Sequence, residues 1–194
     1  GSVFVTGATV QWLRDGLGII SNPAETSDMA LVAGSNDGVY FVPAFVGLGA
    51  PHWQPHARAS ITGMTRGTSQ YHIVRAALES TAFQVKDVVG AMEGGRTRSN
   101  QPLRADGGQS DNPFVMQFQA DILDRPVEVA NVSETTALGA AFLAGRGVGL
   151  WRSENEIRSL WKASARYEPS ISESERTNLY AGWLDAVRRS SSTI

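Results

Sequence analysis

Residues 103–114 read Leu-Arg-Ala-Asp-Gly-Gly-Gln-Ser-Asp-Asn-Pro-Phe, and this stretch restricts the fold more than any other. Leu103 and Ala105 alternate with Arg104 and Asp106, the period of a short strand. Gly107 and Gly108 then remove two consecutive Cβ atoms, which permits a tight turn and a close approach of the backbone to another group. Asn112 suits a helix N-cap and Pro113 the first helical position. The segment therefore predicts a strand, a turn and a capped helix, the unit of an α/β fold. Two readings of the glycines stand side by side. A helix N-terminus offers free N–H groups and a partial positive charge, so the turn can cradle a nucleotide. Equally, any strand-to-helix connection needs a turn.

The flanking sequence extends the alternation of strands and helices. Val3-Phe-Val5 reads as a short apolar strand. Gly7 to Arg14 reads as a helix with Val10, Leu13 and Leu17 at helical spacing. Residues 21–37 are polar and rich in turn formers. Val39-Tyr-Phe-Val42 reads as a buried strand closed by Pro43, and 44–63 as a long ordered loop, a length usually tied to function or to an interface. Ser69 caps a helix of about 20 residues, with Val74, Ala77, Leu78, Thr81, Val85, Val88, Val89 and Met92 on one stripe, ended by Gly94-Gly95. Arg96 to Asn100 reads as a solvated loop. Pro126 to Val129 is a further strand. Ser133 to Ala144 is a small-residue helix with Gly145 as its C-terminal cap, its small side chains suited to lying close to a sheet or ligand. Glu154 to Lys162 reads as a short helix with Ile157, Leu160 and Trp161 inward. Ser172 and Glu175 have capping-box spacing and open a last helix with Leu179, Trp183, Ala186 and Val187 on one face. Arg188 and Arg189 suit the negative end of that helix. The expected organisation is one domain over 1–189 with a frayed tail at 190–194.

Composition closes off several classes. The chain has 194 residues, enough for one domain with its own core. A net charge of −2 argues against nucleic acid as the main partner. Cysteine is absent, which removes disulfides, thiol nucleophiles and thiolate metal sites and fits a cytoplasmic protein. No apolar run approaches the roughly 20 residues of a membrane span. His52, His56 and His72 lack the cysteines and clustered carboxylates that a zinc site needs.

Several long words then occur in a fixed order. They are Gly1-Ser-Val-Phe-Val-Thr-Gly7, Pro43-Ala-Phe-Val-Gly-Leu-Gly-Ala-Pro-His-Trp53, Gly63-Met-Thr-Arg-Gly-Thr68, His72-Ile-Val-Arg-Ala-Ala-Leu-Glu79, Asp106-Gly-Gly108, Met116-Gln-Phe-Gln-Ala-Asp-Ile-Leu123, Thr135-Thr-Ala-Leu-Gly-Ala-Ala141 and Tyr180-Ala-Gly-Trp183. This order resembles the C-terminal half of the glycerol kinases, in the FGGY family of carbohydrate kinases, along nearly the whole chain. The resemblance implies an actin-like, ribonuclease-H-type ATPase fold of α/β class, in which two such domains close on a nucleotide. The chain is then expected to be most of the second domain, N-terminally truncated.

The resemblance also implies site residues. Gly7 and Gln11 match positions near the nucleotide phosphates, and Gly108 and Asn112 match the adenosine side. Read by themselves, Gly7 and Gln11 are a glycine before a helix and one polar side chain on its first turns, and Asn112 has plain N-capping as a rival account. Gln109-Ser-Asp111 stands where small apolar residues are common in the family, and Pro113 where a polar one is. Asp106 is expected to anchor its loop, Arg66 to pair a carboxylate across the domain, and the loop at Trp53 to serve packing or a subunit contact. Glu134 to Thr136 start a helix close to the nucleotide pocket. No catalytic residue is assigned. The catalytic aspartate, most Mg²⁺ ligands, the glycerol pocket and the phosphate loops belong to parts of such kinases without a counterpart here. The expected partners are ATP, glycerol, an N-terminal kinase domain and a second copy of the chain. By itself the chain is expected to be inactive. Alternatives are a self-standing nucleotide-binding or oligomerisation module, and another FGGY kinase, for xylulose, gluconate or ribulose.

Overall fold

A computed structural model describes residues 3–94, 101–132 and 134–191. Seven α-helices and five strands lie in those segments: α1 (Gly7–Asp15), α2 (Thr26–Ala33), β1 (Tyr40–Val42), β2 (Ser60–Thr62), α3 (Gln70–Glu93), β3 (Leu103–Ala105), α4 (Pro113–Leu123), β4 (Val127–Ala130), α5 (Thr135–Gly147), α6 (Glu154–Leu160), β5 (Ala163–Tyr167) and α7 (Glu173–Ser191). β1 and β2 form an antiparallel pair. β3, β4 and β5 form a second sheet, parallel between β3 and β4 and antiparallel between β4 and β5, with a register shift at Val129/Ala130.

Helix α3 is the axis of the core. It packs against α1, α2, α4, α7 and β1. The expected stripe is buried at Val74, Ala77, Leu78, Thr81 and Val88. Val85 and Val89 are half-buried and Met92 is exposed, because the helix leaves the core before its end. Elements pack on several sides, so Ala76, Glu79, Ser80, Ala82, Phe83 and Asp87 are buried as well. Phe83 stacks on Trp183 at 5.4 Å and meets Phe118 edge-on at 5.4 Å, joining α3, α7 and α4. Each large apolar side chain buried in this way contributes about 1.5–3 kcal/mol of transfer free energy. At the N-terminus of α3, His72 Nδ1 accepts from the Ser69 N–H at 3.0 Å, and Gly94 ends the helix in a left-handed conformation.

Several expectations need correction. Residues 3–5 form no strand; Val5 is buried, Phe4 is exposed, and the Val5 carbonyl accepts from Gln84 Nε2 at 3.2 Å instead of from a ladder. Leu17 lies past the end of α1 and is exposed. The polar stretch 21–37 contains α2, entered through a 3-10 turn at Pro23–Glu25 that Asn22 and Glu25 close as a capping box. The long loop ends in β2, since 60–62 find β1 as a partner. Gly145 does not stop α5. The Trp151 ring lies where its Cβ would be, 2.2 Å away, so glycine admits the aromatic inside the helix. Leu160 is exposed, and Trp161 lies beyond α6, under the Arg104 guanidinium at 3.9 Å. β5 follows it, a strand whose small residues carry little period-2 signal. α7 runs to Ser191, so Ser190 and Ser191 are helical, and Ser190 is buried with its hydroxyl against Ser60 Oγ. The words at Gly1-Ser2, the second glycine at 95, the loop 96–100, Ser133 and residues 192–194 lie outside the described residues. Among the described residues, no helix is long and apolar enough to cross a membrane.

Candidate functional site

The turn between β3 and α4 is built as the sequence implies. Gly107 has φ 86°, a conformation a Cβ would strain. Gly108–Asp111 makes one 3-10 turn, held by Ser110, whose N–H and hydroxyl both donate to the Gly107 carbonyl, at 2.9 and 2.6 Å. Asn112 caps α4, its Oδ1 accepting from the Val115 N–H at 3.1 Å. No atom lies within 4 Å of a Cβ built on Gly107 or Gly108, and Gly108 is exposed. The backbone of the turn therefore faces open space next to a helix N-terminus.

Gly7 opens α1, also with nothing within 4 Å of a built Cβ. No side chain caps this helix; the Thr9 N–H is taken by the Thr6 carbonyl at 2.9 Å, which leaves the N–H groups of Gly7 and Ala8 to meet an anion. Gln11 is exposed on the same helix, off the buried stripe of Thr9, Val10 and Leu13. The two pairs of candidates are linked through the turn that enters α2. Pro23–Glu25 packs on α1, and Thr26 receives a hydrogen bond from Asn112 Nδ2 at 3.1 Å. Thr26 itself donates to the Pro23 carbonyl at 2.7 Å and is 1% exposed. Sequence reasoning missed Thr26. The one available signal was the Asn-Pro-Ala-Glu cap at 22–25, which marks a helix start at that point.

The neighbouring groups are structural. The Thr135 hydroxyl donates to Asp106 Oδ2, so Asp106 holds the start of α5 to the glycine turn. Asp87, missed in the sequence, is a buried carboxylate with three donors: Tyr180 OH at 2.6 Å, Trp183 Nε1 at 2.8 Å and His52 Nε2 at 2.9 Å. It pins the loop of Trp53 to α3 and α7. A cavity of about 550 Å³ between α2, α3, α4 and α7 is lined by Asn36, Arg75, Glu79, Phe114 and Asp121, among others. Glu79 there is 1% exposed; burial raises its carboxyl above the usual range, against the pull of Arg75 at 2.7 Å and Asn36 at 2.9 Å. Among the described residues, no group of three His, Cys, Asp or Glu side chains is placed to hold a metal ion.

The family described as the FGGY family of carbohydrate kinases, C-terminal domain, matches residues 1–148. Glycerol kinase 2 of Thermotoga maritima is 58% identical over 190 residues, 98% of this chain. A crystal structure of Plasmodium falciparum glycerol kinase with ADP superposes on the whole chain with a TM-score of 0.91 and 38% identity. A ligand-bound xylulose kinase from Lactobacillus acidophilus matches at a TM-score of 0.85 and 26% identity over 96% of the chain. The chain spans 38% of the length of each of these three relatives. The fold is accordingly the actin-like, ribonuclease-H-type architecture of these kinases. A family match over three quarters of the sequence, joined to 58% identity along nearly all of it, means that this chain belongs to the FGGY family of carbohydrate kinases and carries their C-terminal domain.

Proposed function

We propose that the chain forms the nucleotide-side wall of a glycerol kinase, an enzyme that transfers the γ-phosphoryl of ATP to glycerol to give ADP and glycerol 3-phosphate. The observation that carries this reading is the open backbone at Gly107-Gly108 beside the capped α4, in a chain 58% identical to a glycerol kinase. Gly108 lets the adenosine lie against the main chain, and Asn112 offers its carboxamide to the base. The uncapped N-terminus of α1 at Gly7, with Gln11 one turn on, meets the phosphates through N–H donors and a partial positive charge. These residues fit the adenosine and phosphates by chemistry: glycine backbone, an amide, free N–H groups. Mg²⁺, when bound, neutralises charge on the transferring phosphoryl. Its ligands, the base and the glycerol pocket are assigned to the remainder of the enzyme's length, and phosphoryl transfer by this chain alone is not expected.

The test is a titration of the chain with ADP and with ATP. Saturable binding that is weakened by Gly108→Val and Gln11→Ala supports the reading; binding indifferent to both variants contradicts it. A cytoplasmic location is part of the same proposal. A second reading, a contact between copies of the chain through the loop of Trp53, is favoured by the exposure of Val46 and Trp53, at 67% and 70%. Sedimentation of the chain and of Trp53→Ser decides it: a dimer abolished by the substitution supports the contact, and a monomer in both refutes it.

A further inference from the structure

We infer that Thr26 is a positioning residue that sets the plane of the Asn112 carboxamide and thereby the preference for adenine over guanine; this rests on the nucleotide-cradle reading above. The hydroxyl of Thr26 has one hydrogen, and the Pro23 carbonyl takes it at 2.7 Å. What remains on Thr26 Oγ1 can only accept, so the atom of Asn112 that faces it at 3.1 Å is the donor Nδ2. At the other end of the amide, the Val115 N–H can only donate, so it faces Oδ1, also at 3.1 Å. Both neighbours demand the same orientation. With the helix cap alone, one hydrogen bond holds Oδ1 and the amide plane can still swing about its Cβ–Cγ bond; the second bond removes that freedom.

The bonded amide retains one N–H on Nδ2 and one lone pair on Oδ1. A donor and an acceptor held in one order complement adenine, which presents its 6-amino group to Oδ1 and the adjoining ring nitrogen to Nδ2; guanine in the same placement presents O6 where the amino group stood, so the fixed amide sets two acceptors, Oδ1 and O6, against each other. The support below Thr26 is rigid. The residue is 1% exposed, and the turn before it is closed by the Asn22–Glu25 capping box. The specificity of the candidate site is thus set from α2, by a residue that itself faces the protein interior.

The test compares the chain with Thr26→Val and Thr26→Ser, using ADP and GDP as ligands and the side-chain amide signals of Asn112 in ¹H–¹⁵N spectra. The wild type is expected to prefer ADP over GDP by roughly tenfold or more. Thr26→Val should cut that ratio about threefold or more and move the Asn112 amide pair toward free-asparagine shifts, whereas Thr26→Ser, which keeps the hydroxyl, should retain both. A Thr26→Val protein with unchanged Asn112 signals overturns the positioning role, as do equal losses in both variants. If Thr26→Val fails to fold, hydrogen exchange of the Asn112 Nδ2 protons in the wild type decides the same point: slowed exchange supports the bond to Thr26, and free-amide exchange overturns it. Absence of ADP binding by the wild type removes the adenine preference together with the reading it rests on, and the amide signals then decide the positioning alone.

Discussion

The indole N–H of Trp183 donates to the buried carboxylate of Asp87 across 2.8 Å, one of two hydrogen bonds to that carboxylate that fasten α7 to α3 in the core. Asp87 is otherwise held by Tyr180 and His52. A buried carboxylate is tolerable here because donors from α7 and from the loop of Trp53 converge on it. Replacing Asp87 by Asn turns an acceptor into a donor facing other donors. The expected loss is about 2–4 kcal/mol, and a double-mutant cycle with Trp183→Phe should give a coupling of about 1.5–3 kcal/mol, both read from urea unfolding. A coupling near zero would show that Asp87 and Trp183 act independently.

Alkaline pH should unfold the protein through its tyrosines. The Tyr180 phenol is raised above its ordinary value, first by burial and then by the hydrogen bond to Asp87 and its charge; Tyr40 is raised as well, chiefly by burial. A folded value above the unfolded one means that the contribution of the group is complete below the unfolded value, about 10, and is lost as pH rises toward the folded value. The thermal midpoint should fall steadily above about pH 10, and Tyr180→Phe should flatten that fall while lowering the midpoint at pH 7. An equally steep fall in the variant contradicts this assignment.

Gly63 has φ 79°, and a Cβ built on it would stand 1.9 Å from the Gly38 carbonyl oxygen. Backbone cannot yield as a side-chain tip can. Gly63→Ala combines left-handed strain with a steric overlap between β2 and the turn before β1, and should cost about 3 kcal/mol or more in chemical denaturation. A cost below about 1 kcal/mol would mean that the two turns are not held this close.

Much of this organisation was legible. Gly107, Gly108, Asn112 and Pro113 specify their turn and cap by local backbone chemistry, which needs no tertiary information, and the structure reproduces it. The ordered words at Pro43–Trp53, Gly63–Thr68 and Met116–Leu123 carried the family. Non-local geometry is what escaped. Val3–Val5 has strand composition, but a strand also needs a partner. Gly145 looks like a helix stop until Trp151 is found in its place. β5 goes unassigned because Ala163, Ser164 and Ala165 have no strong period. Thr26 and Asp87 are ordinary residues in sequence and acquire roles only from partners 86 and 96 positions away.

The capping and ligand roles of Asn112 can be separated. Asn112→Asp keeps an acceptor for the Val115 N–H and adds a charge that suits a helix N-terminus, against the loss of the bond to Thr26, so the net change in stability should stay within about 1 kcal/mol. It removes the Nδ2 donor, so adenine nucleotide affinity should drop by roughly tenfold. Asn112→Ala should lose about 1 kcal/mol of stability as well. Calorimetric titration with ADP beside thermal unfolding checks both, and an Asn112→Asp protein with wild-type affinity would confine Asn112 to capping.

The most direct measurement is a ¹H–¹⁵N map of the chain titrated with ADP in the presence of Mg²⁺. Saturable shifts are expected at Gly7, Gln11, Gly108 and Asn112, with the amides around His52 and Asp87 unmoved. Shifts centred instead on the cavity at Asn36, Glu79 and Phe114, or no saturable shifts at millimolar ADP, would contradict the nucleotide-side reading.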